Sequence, residues 1–408
     1  MEETFDVVVV GGGLAGALAA LALARSGLKA ALVDAQDPAV LKSKAYDGRT
    51  TALAYASARV FRRLGVFEAF AADAEPILDI LVTDGSGPGR APSPFFMHFD
   101  SRELESGEPL GWIVENEALR NAVYVGAESS GVALFAPARV LSAEFGEGGA
   151  RALLADGRRL VAPLIVGADG RHSPLRTSAG IKVSAWEYPQ TAIVATVAHD
   201  RPHKGVAHEY FLPSGPFAIL PMTRNRSSLV WTERRAAAPA YLQLDDEAFR
   251  RAVADRFGDF LGDIRLEGPR WSYPLAFHLA QRFIAPRLAL IGDAARAIHP
   301  IAGQGFNLGV KDVAALAEIL GDAVRLGLDL GSLGVLEDYE RWRRFDSLAL
   351  ALGTDAVNRL FSNNIAPLRL ARDLGLGAVN RAGPLRRFFM RQAGGDVGRL
   401  PALMGPER

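Results

Sequence analysis

The sequence contains no cysteine. That excludes disulfides, thiolate nucleophiles, iron–sulfur clusters and cysteine-ligated zinc, and it fits a reducing compartment. Any redox chemistry therefore needs a borrowed cofactor. Neither sign of charge is in surplus, with 46 basic and 46 acidic residues among 408, so the total charge does not draw the chain to nucleic acid. There is no fixed-period repeat. Only one charge-free run, the 18 residues from Val7 to Ala24, reaches the length of a candidate membrane span. Its details argue against one: Glu2, Glu3 and Asp6 precede it where a secretory signal is basic, and Gly11, Gly12, Gly13 and Gly16 interrupt it after four valines. Strand, turn and helix fit better, and the chain is expected in the cytoplasm, peripheral to the inner membrane at most.

What is present begins with that segment. A buried strand (Phe5 to Val10), a glycine turn, an alanine-rich helix to about Ser26 and a second strand (Ala30 to Asp34) make one βαβ unit. In Gly11-x-Gly13-x-x-Gly16 the glycines let the backbone approach a pyrophosphate, and the helix N-terminus offers oriented N–H donors. Asp34 stands at the distance where a carboxylate accepts from ribose hydroxyls, and it disfavours a 2′-phosphate. Taken alone, this motif does not separate FAD from NAD. A helix-like stretch follows from Thr51 to Phe70, and the glycines and prolines of Asp84 to Pro94 read as a loop. Period-two segments from Ile181 to Pro274, such as Val206 to Leu212, suggest an antiparallel sheet, assigned to substrate binding.

Two further motifs follow apolar strands. In GADGRHSPLR (Gly167 to Arg176), Asp169 and Gly170 read either as a hairpin turn or as cofactor contacts. In LALIGDAARAIHPIAGQGFNLGVKD (Leu288 to Asp312), Gly292 and Asp293 end a strand, and a proline and three glycines lead into a helix from about Gly305 to Leu320. Such an arrangement lets the Asp293 carboxylate accept from flavin ribityl hydroxyls. It also turns a helix N-terminus to the pyrimidine edge, where reduced flavin carries negative charge.

With these motifs in this order the chain resembles the FAD-dependent aromatic hydroxylases (flavin monooxygenases) over nearly its whole length. Within that group it resembles the ubiquinone-biosynthesis hydroxylases, through DGRTTALAYAS (Asp47 to Ser57), WIVENEALRNAV (Trp112 to Val123), FLPSGPFAILPM (Phe211 to Met222) and IHPIAGQGFNLGVKDV (Ile298 to Val313). The implied fold is α/β: a split Rossmann-like FAD-binding domain (1–75, 110–180 and 281–345), an inserted, mainly antiparallel β-sheet substrate domain (76–109 and 181–280) and a helical C-terminal region (346–408). The resemblance implies flavin contacts at Arg49, Asn116, Gly305, Phe306 and Asn307, and a reaction site lined by Pro300, Gly303, Gln304 and Gly305. A surface position for Arg49 and a helix-capping role for Asn116 remain the alternatives. The family usually carries a histidine where this chain has Arg296, which either adds positive charge near the flavin or forms an outward salt bridge.

The implied activity is hydroxylation of a (poly)prenylated phenol in ubiquinone biosynthesis through a flavin C4a-hydroperoxide, with O2 and electrons from NADH, NADPH or a reduced carrier protein. The expected partners are a hydrophobic phenolic substrate and a membrane or biosynthetic-complex contact. The competing readings are another flavin hydroxylase or epoxidase of a small aromatic, and a flavin-bound non-catalytic subunit. No metal site is expected, since Pro202 interrupts the spacing of His199 and His203. His299 reads equally as structural or catalytic, and His208 with Tyr210 as core or as substrate lining. Nine arginines against three acids after residue 358 make the tail basic. Pro384 can start a helix with Leu385, Phe388 and Phe389 on one face and Arg386, Arg387 and Arg391 around it, suited to an anionic lipid surface, an acidic partner or plain packing on the flavin domain.

Overall fold

The computed structural model describes residues 2–42, 48–85, 93, 95–299, 303–363 and 366–406. The chain opens with β1 (Val7–Val10), α1 (Leu14–Arg25) and β2 (Ala30–Val33). Both strands are buried along their whole length and pair in parallel, which explains why they are unbroken aliphatic runs rather than alternating ones. Helix α1 is apolar on every side because it lies between the sheet and two later helices, with Ala17 through Leu23 at most 1% exposed.

The stretch expected as one helix over Thr51 to Phe70 is instead β3 (Thr50–Ala54), α2 (Tyr55–Arg63) and two short turns. Alanine and leucine favour a helix locally, but antiparallel pairing of β3 with a later strand outweighs propensity. Next come β4 (Asp79–Asp84), β5 (Phe96–Asp100), β6 (Gly111–Glu115, the partner of β3), α3 (Asn116–Ser129), β7 (Ala133–Phe135) and β8 (Leu164–Gly167). The long strands β9 (Val183–His199), β10 (Val206–Leu212), β11 (Gly215–Met222) and β12 (Arg226–Arg234) lead to α4 (Asp246–Phe257) and β13 (Ile264–Ala280). The chain ends with β14 (Leu288–Leu290), β15 (Arg296–Ala297) and four helices: α5 (Gln304–Arg325), α6 (Leu333–Phe361), α7 (Ala366–Arg381) and α8 (Gly383–Ala393). The helical tail expected from residue 346 begins earlier, because α6 runs unbroken through that position.

Two sheets organise these elements. In the first, β14, β8, β1, β2 and β7 lie side by side in parallel, a Rossmann-like sheet assembled from three separate stretches of chain. The second has eight strands in the order β15, β13, β9, β12, β11, β10, β4, β5, antiparallel except where β10 meets β4. One face of this second sheet is closed by α4, whose Phe249, Val253 and Phe257 pack on Phe217, Leu229 and Trp231. The opposite face looks toward the first sheet and is partly roofed by α6, α7 and α8.

The roof is fastened by charge. Arg372 on α7 donates through Nε to Asp84 of β4 at 3.0 Å, and both side chains are about 2% exposed; its Nη1 also donates to the Leu360 carbonyl at the end of α6, at 2.8 Å. Removing one member of such a buried pair strands the other's charge. Asp84→Ala is therefore expected to lower stability by about 3–5 kcal/mol. A volume-matched apolar pair, Asp84→Leu with Arg372→Met, should recover most of that loss, as read by thermal unfolding of the FAD-loaded protein.

Candidate flavin and active site

The three glycine-bearing motifs meet at the carboxyl ends of β1, β8 and β14. Gly11 has φ +105°, and a Cβ there would stand 2.3 Å from the Ala168 carbonyl oxygen; one on Gly16 would stand 1.8 Å from the Gly11 oxygen. Only glycine allows these approaches. A Cβ on Gly13 meets nothing within 4 Å, so this position faces open space at the start of α1, whose first turn has no side-chain cap. Unpaired N–H groups beside an open glycine form an anion-binding site. Asp34 accepts from the Gly12 N–H and from the Gln36 N–H, the latter at 2.7 Å, and Tyr124 donates to the Gly12 carbonyl at 2.7 Å.

The second motif is locked to the third. Ser173 caps a short helix by accepting from the Arg176 N–H at 2.9 Å, and the Arg176 guanidinium donates to the Ala294 carbonyl at 2.8 Å. Asp169 is no simple hairpin residue: one carboxylate oxygen accepts from the Leu175 N–H at 3.1 Å, while the other is buried with no partner among the described residues. Burial raises its carboxyl, against the pull of Ser173 and Arg176. Gly170 supplies the positive φ of the turn, +81°.

Asp293 is accessible yet flanked by protein, so it stands in a recess. Burial raises its carboxyl, and Arg296 and Arg171 act in the opposite sense. The preceding Gly292 N–H donates to Asp312 Oδ2 at 3.0 Å. Around Asp312 lie Arg343, whose Nε donates at 2.8 Å, and Arg296, with a nitrogen at 2.8 Å. Arg296 is thus no outward salt bridge: it is 3% exposed, and its contact with Asp312 lacks hydrogen-bond alignment. Lys311 and Asp346 extend the cluster, with an N–O distance of 2.6 Å. Three cations against two carboxylates leave one positive charge in surplus behind the Gly292–Asp293 turn, which favours negative charge on the ligand side.

Helix α5 starts at Gly303, in the left-handed region at φ +62° and again without a side-chain cap. Gly303 presses on Ala52, while Gly305 is open. The other residues expected at the flavin here also make contacts within the fold. Asn307 donates to the Ala52 and Gly303 carbonyls at 2.8 and 3.1 Å and accepts from the Ala54 N–H at 2.9 Å. Gln304 donates to the Ala393 carbonyl at 2.9 Å, and the Phe306 ring lies 6.4 Å from that of Phe61. Pro300 lies outside the described residues. The Arg49 side chain is exposed, and its carbonyl accepts from the Asn116 N–H at 3.0 Å. Asn116 does not cap α3, because Glu115 occupies that position; its Oδ1 accepts from the Thr51 hydroxyl at 2.6 Å.

An open glycine turn at an uncapped helix, an accessible carboxylate in a recess and a second uncapped helix suit a dinucleotide with a redox-active ring. Consistent with this, the family model described as FAD binding domain matches residues 4–344. The chain belongs to that FAD-binding family. Within it, the chain is 48% identical to a ubiquinone hydroxylase of Rhodospirillum rubrum, across 100% of this chain and 92% of the relative. It is 33% identical to the 3-demethoxyubiquinol 3-hydroxylase of Escherichia coli, across 96% and 99%. The solved p-nitrophenol 4-monooxygenase of Pseudomonas putida shares the fold, with a TM-score of 0.79 over 98% of this chain and 100% of that one, at 20% identity.

His199 and His203 take no part in this arrangement. His199 and His203 each bond backbone and neighbouring groups through both ring nitrogens, and no group of His, Cys, Asp or Glu among the described residues is placed to hold a metal. His299 is buried against Tyr188, and burial pushes it down to about 4, so it is neutral. His208 and Tyr210 face the α4 side of the second sheet, with His208 packed on Phe260 at 4.7 Å, so they do not line the flavin side. Asp293→Ala is expected to weaken FAD binding by about 1.5–3 kcal/mol, roughly ten- to a hundredfold in Kd, measured by titrating apoprotein with FAD. Asp34→Ala should leave the rate per bound flavin unchanged.

Proposed function

We propose that the protein is an FAD-dependent monooxygenase that hydroxylates the ring of a polyprenylated phenol in ubiquinone biosynthesis. The observation that carries this reading is the uncapped start of α5, where Gly303 presses on Ala52 of the cluster under the inner face of the eight-stranded sheet, on a helix whose Gly309 packs against the Gly292–Asp293 turn. Gly13 and the start of α1 would hold the FAD pyrophosphate, Asp34 the ribose and Asp293 the ribityl chain. Bound FAD supplies oxygen activation and electron transfer. The chain's own residues position the ring and keep water out, and the start of α5 with the surplus cation of the Asp312 cluster favours negative charge at the flavin edge. NADH, NADPH or a reduced carrier protein delivers electrons. The pure protein is expected to carry one FAD per chain, released intact on denaturation, and to oxidise reduced nicotinamide faster when a prenylated phenol is added. Intact FAD with no such stimulation by either nicotinamide would favour a non-catalytic flavoprotein subunit.

A hydrophobic substrate implies access to a lipid surface, although no helix among the described residues is long and apolar enough to cross a membrane. Helix α8 offers that access. Leu385, Phe388 and Phe389 are 44, 51 and 39% exposed, with Arg387 and Arg391 exposed beside them. Arg386, expected in the same basic rim, is instead paired with Glu103 at 2.5 Å. Each basic residue close to an anionic leaflet contributes about 1 kcal/mol, enough with a short apolar face for reversible docking. Wild type is expected to float with anionic liposomes, and an FAD-loaded Arg387→Glu/Arg391→Glu/Phe388→Ser variant to stay behind. Equal recovery of the two would reject α8 as the docking surface.

A further inference from the structure

Among the described residues, the strands of the eight-stranded sheet turn one carboxylate without a protein partner to the inner face. Glu209 lies at the centre of β10, and strand register sets it in a row running Val194, Val230, Ala218, Glu209, Val82 and Met97 across β9, β12, β11, β10, β4 and β5. Residues directly opposite on neighbouring strands point to the same side. Three contacts show that this side faces the flavin motifs. Thr50 donates to Ser228, two residues from Val230 on the same strand, at 2.9 Å. Val230 itself packs on a cluster containing Ile298 and Leu308, which bracket the third motif's turn. A Cβ on Gly48 would stand 2.4 Å from the indole nitrogen of Trp271, the neighbour of Val194 in the row.

The rows on either side of Glu209 have different covers. Ala207 and Leu220 lie under Ala52 and Met390, from β3 and α8. Phe211 lies under Phe361 and Leu376, from α6 and α7, with its ring 4.2 Å from that of Phe361. Glu209 therefore sits at the seam between two lids, one of which touches Gly303 through Ala52.

On this face or packed against it, Asp84 has Arg372, Glu267 has Arg226, and Asp355 has Arg359 and Tyr188, whereas Asp373 of α7 keeps one buried oxygen without a partner among the described residues. Further ionisable groups turned this way among the described residues include Tyr273 and Arg49, which lie near each other, and His299, packed on Tyr188. Glu209 has no hydrogen bond or ion pair among the described residues, although part of its side chain is accessible. Burial alone pushes its carboxyl up to about 7. An unpaired carboxylate in an apolar wall destabilises the fold, so its natural partner is a ligand.

We infer that Glu209 receives the hydroxyl group of the phenolic substrate and accepts its proton as the ring is attacked. The phenol O–H bond breaks, a bond from that hydrogen to a carboxylate oxygen forms, and the electron pair left on the phenolate oxygen enriches the ortho and para ring carbons. The carboxyl returns the proton when the hydroxylated product leaves. This rests on the phenolic-substrate reading above and adds to it the group that selects and orients the phenol.

The test uses FAD-loaded protein and two probes, ortho-prenylphenol and its methyl ether, with binding read from the oxidised flavin spectrum at alkaline pH. Wild type should prefer the phenol by about tenfold or more, the size of a charge-assisted hydrogen bond, and Glu209→Ala should show a ratio near one. Because the carboxylate must be ionised to accept the proton, wild-type kcat/KM should rise as pH passes through about 7. Glu209→Gln should lack that rise, have a lower kcat, and hold FAD as tightly as wild type. An unchanged phenol-to-ether ratio in Glu209→Ala overturns the inference, and so does loss of FAD from Glu209→Gln, which would assign the residue to the flavin site or scaffold. If neither probe perturbs the wild-type flavin, the phenolic-substrate reading itself fails, and this inference with it.

Discussion

Asp312 is wholly buried, and its carboxylate does three things at once: it accepts the Gly292 N–H, receives the Arg343 guanidinium and neutralises Arg296. A buried carboxylate is tolerated only when it is paired and hydrogen-bonded, and this one joins the end of β14, the body of α5 and the long α6. Gly292 in turn makes the junction possible. It takes φ +55°, and its lack of a side chain lets the turn sit against Ala15 of α1 and Gly309 of α5. The same few atoms thus tie α1 and α5 to one turn and leave Asp293 accessible at it. Tyr339, fully buried, donates to the Leu290 carbonyl and closes the strand end from behind.

The second sheet divides labour between its faces. One is a closed aromatic core under α4. The other remains partly open, with Trp271 and Tyr273 about 40% exposed, and is roofed from the C-terminal side. The roof is tied to the flavin motifs as well as to the sheet, since Gln304 and Lys311 of α5 donate to the Ala393 and Val397 carbonyls. A Cβ on Gly394 would stand 1.9 Å from the Tyr55 ring. Residues far apart in the chain therefore share one enclosure, with the exposed aromatics of α8 at its outer edge. Such an arrangement suits a substrate that is apolar over most of its length and reactive at one end.

Much of the local geometry of the candidate site was legible from local patterns. Gly11, Gly13 and Gly16 follow a four-valine strand and precede an alanine-rich helix, and that order of residues can hardly fold otherwise. Asp34, Asp169 and Asp293 each end or follow a strand, where a carboxylate reaches the crevice of a parallel sheet. Where the reading failed, a distant partner decided the outcome. Thr50 to Ala54 became a strand because β6 was there to pair with it, and Asn116 and Asn307 were drawn to the backbone and side chains of that same strand.

Sequence alone determined the fold class and the positions of the glycine turns, because these depend on short-range geometry: a strand, a tight turn and a helix start contiguous in the chain; the cofactor was legible only from the order of three separated motifs and the family they resemble. Only the tertiary structure decided which way individual polar groups face. Alternation along Val206 to Leu212 separates His208 and Tyr210 from Glu209, but it does not say which set meets α4 and which meets the flavin side. Arg296 likewise reads either as a charge near the flavin or as an outward salt bridge until α5 and α6 bring Asp312 and Arg343 beside it. The reason is physical. The side of a strand or helix that is buried depends on the elements packed against it, and here those elements come from separate stretches of the chain.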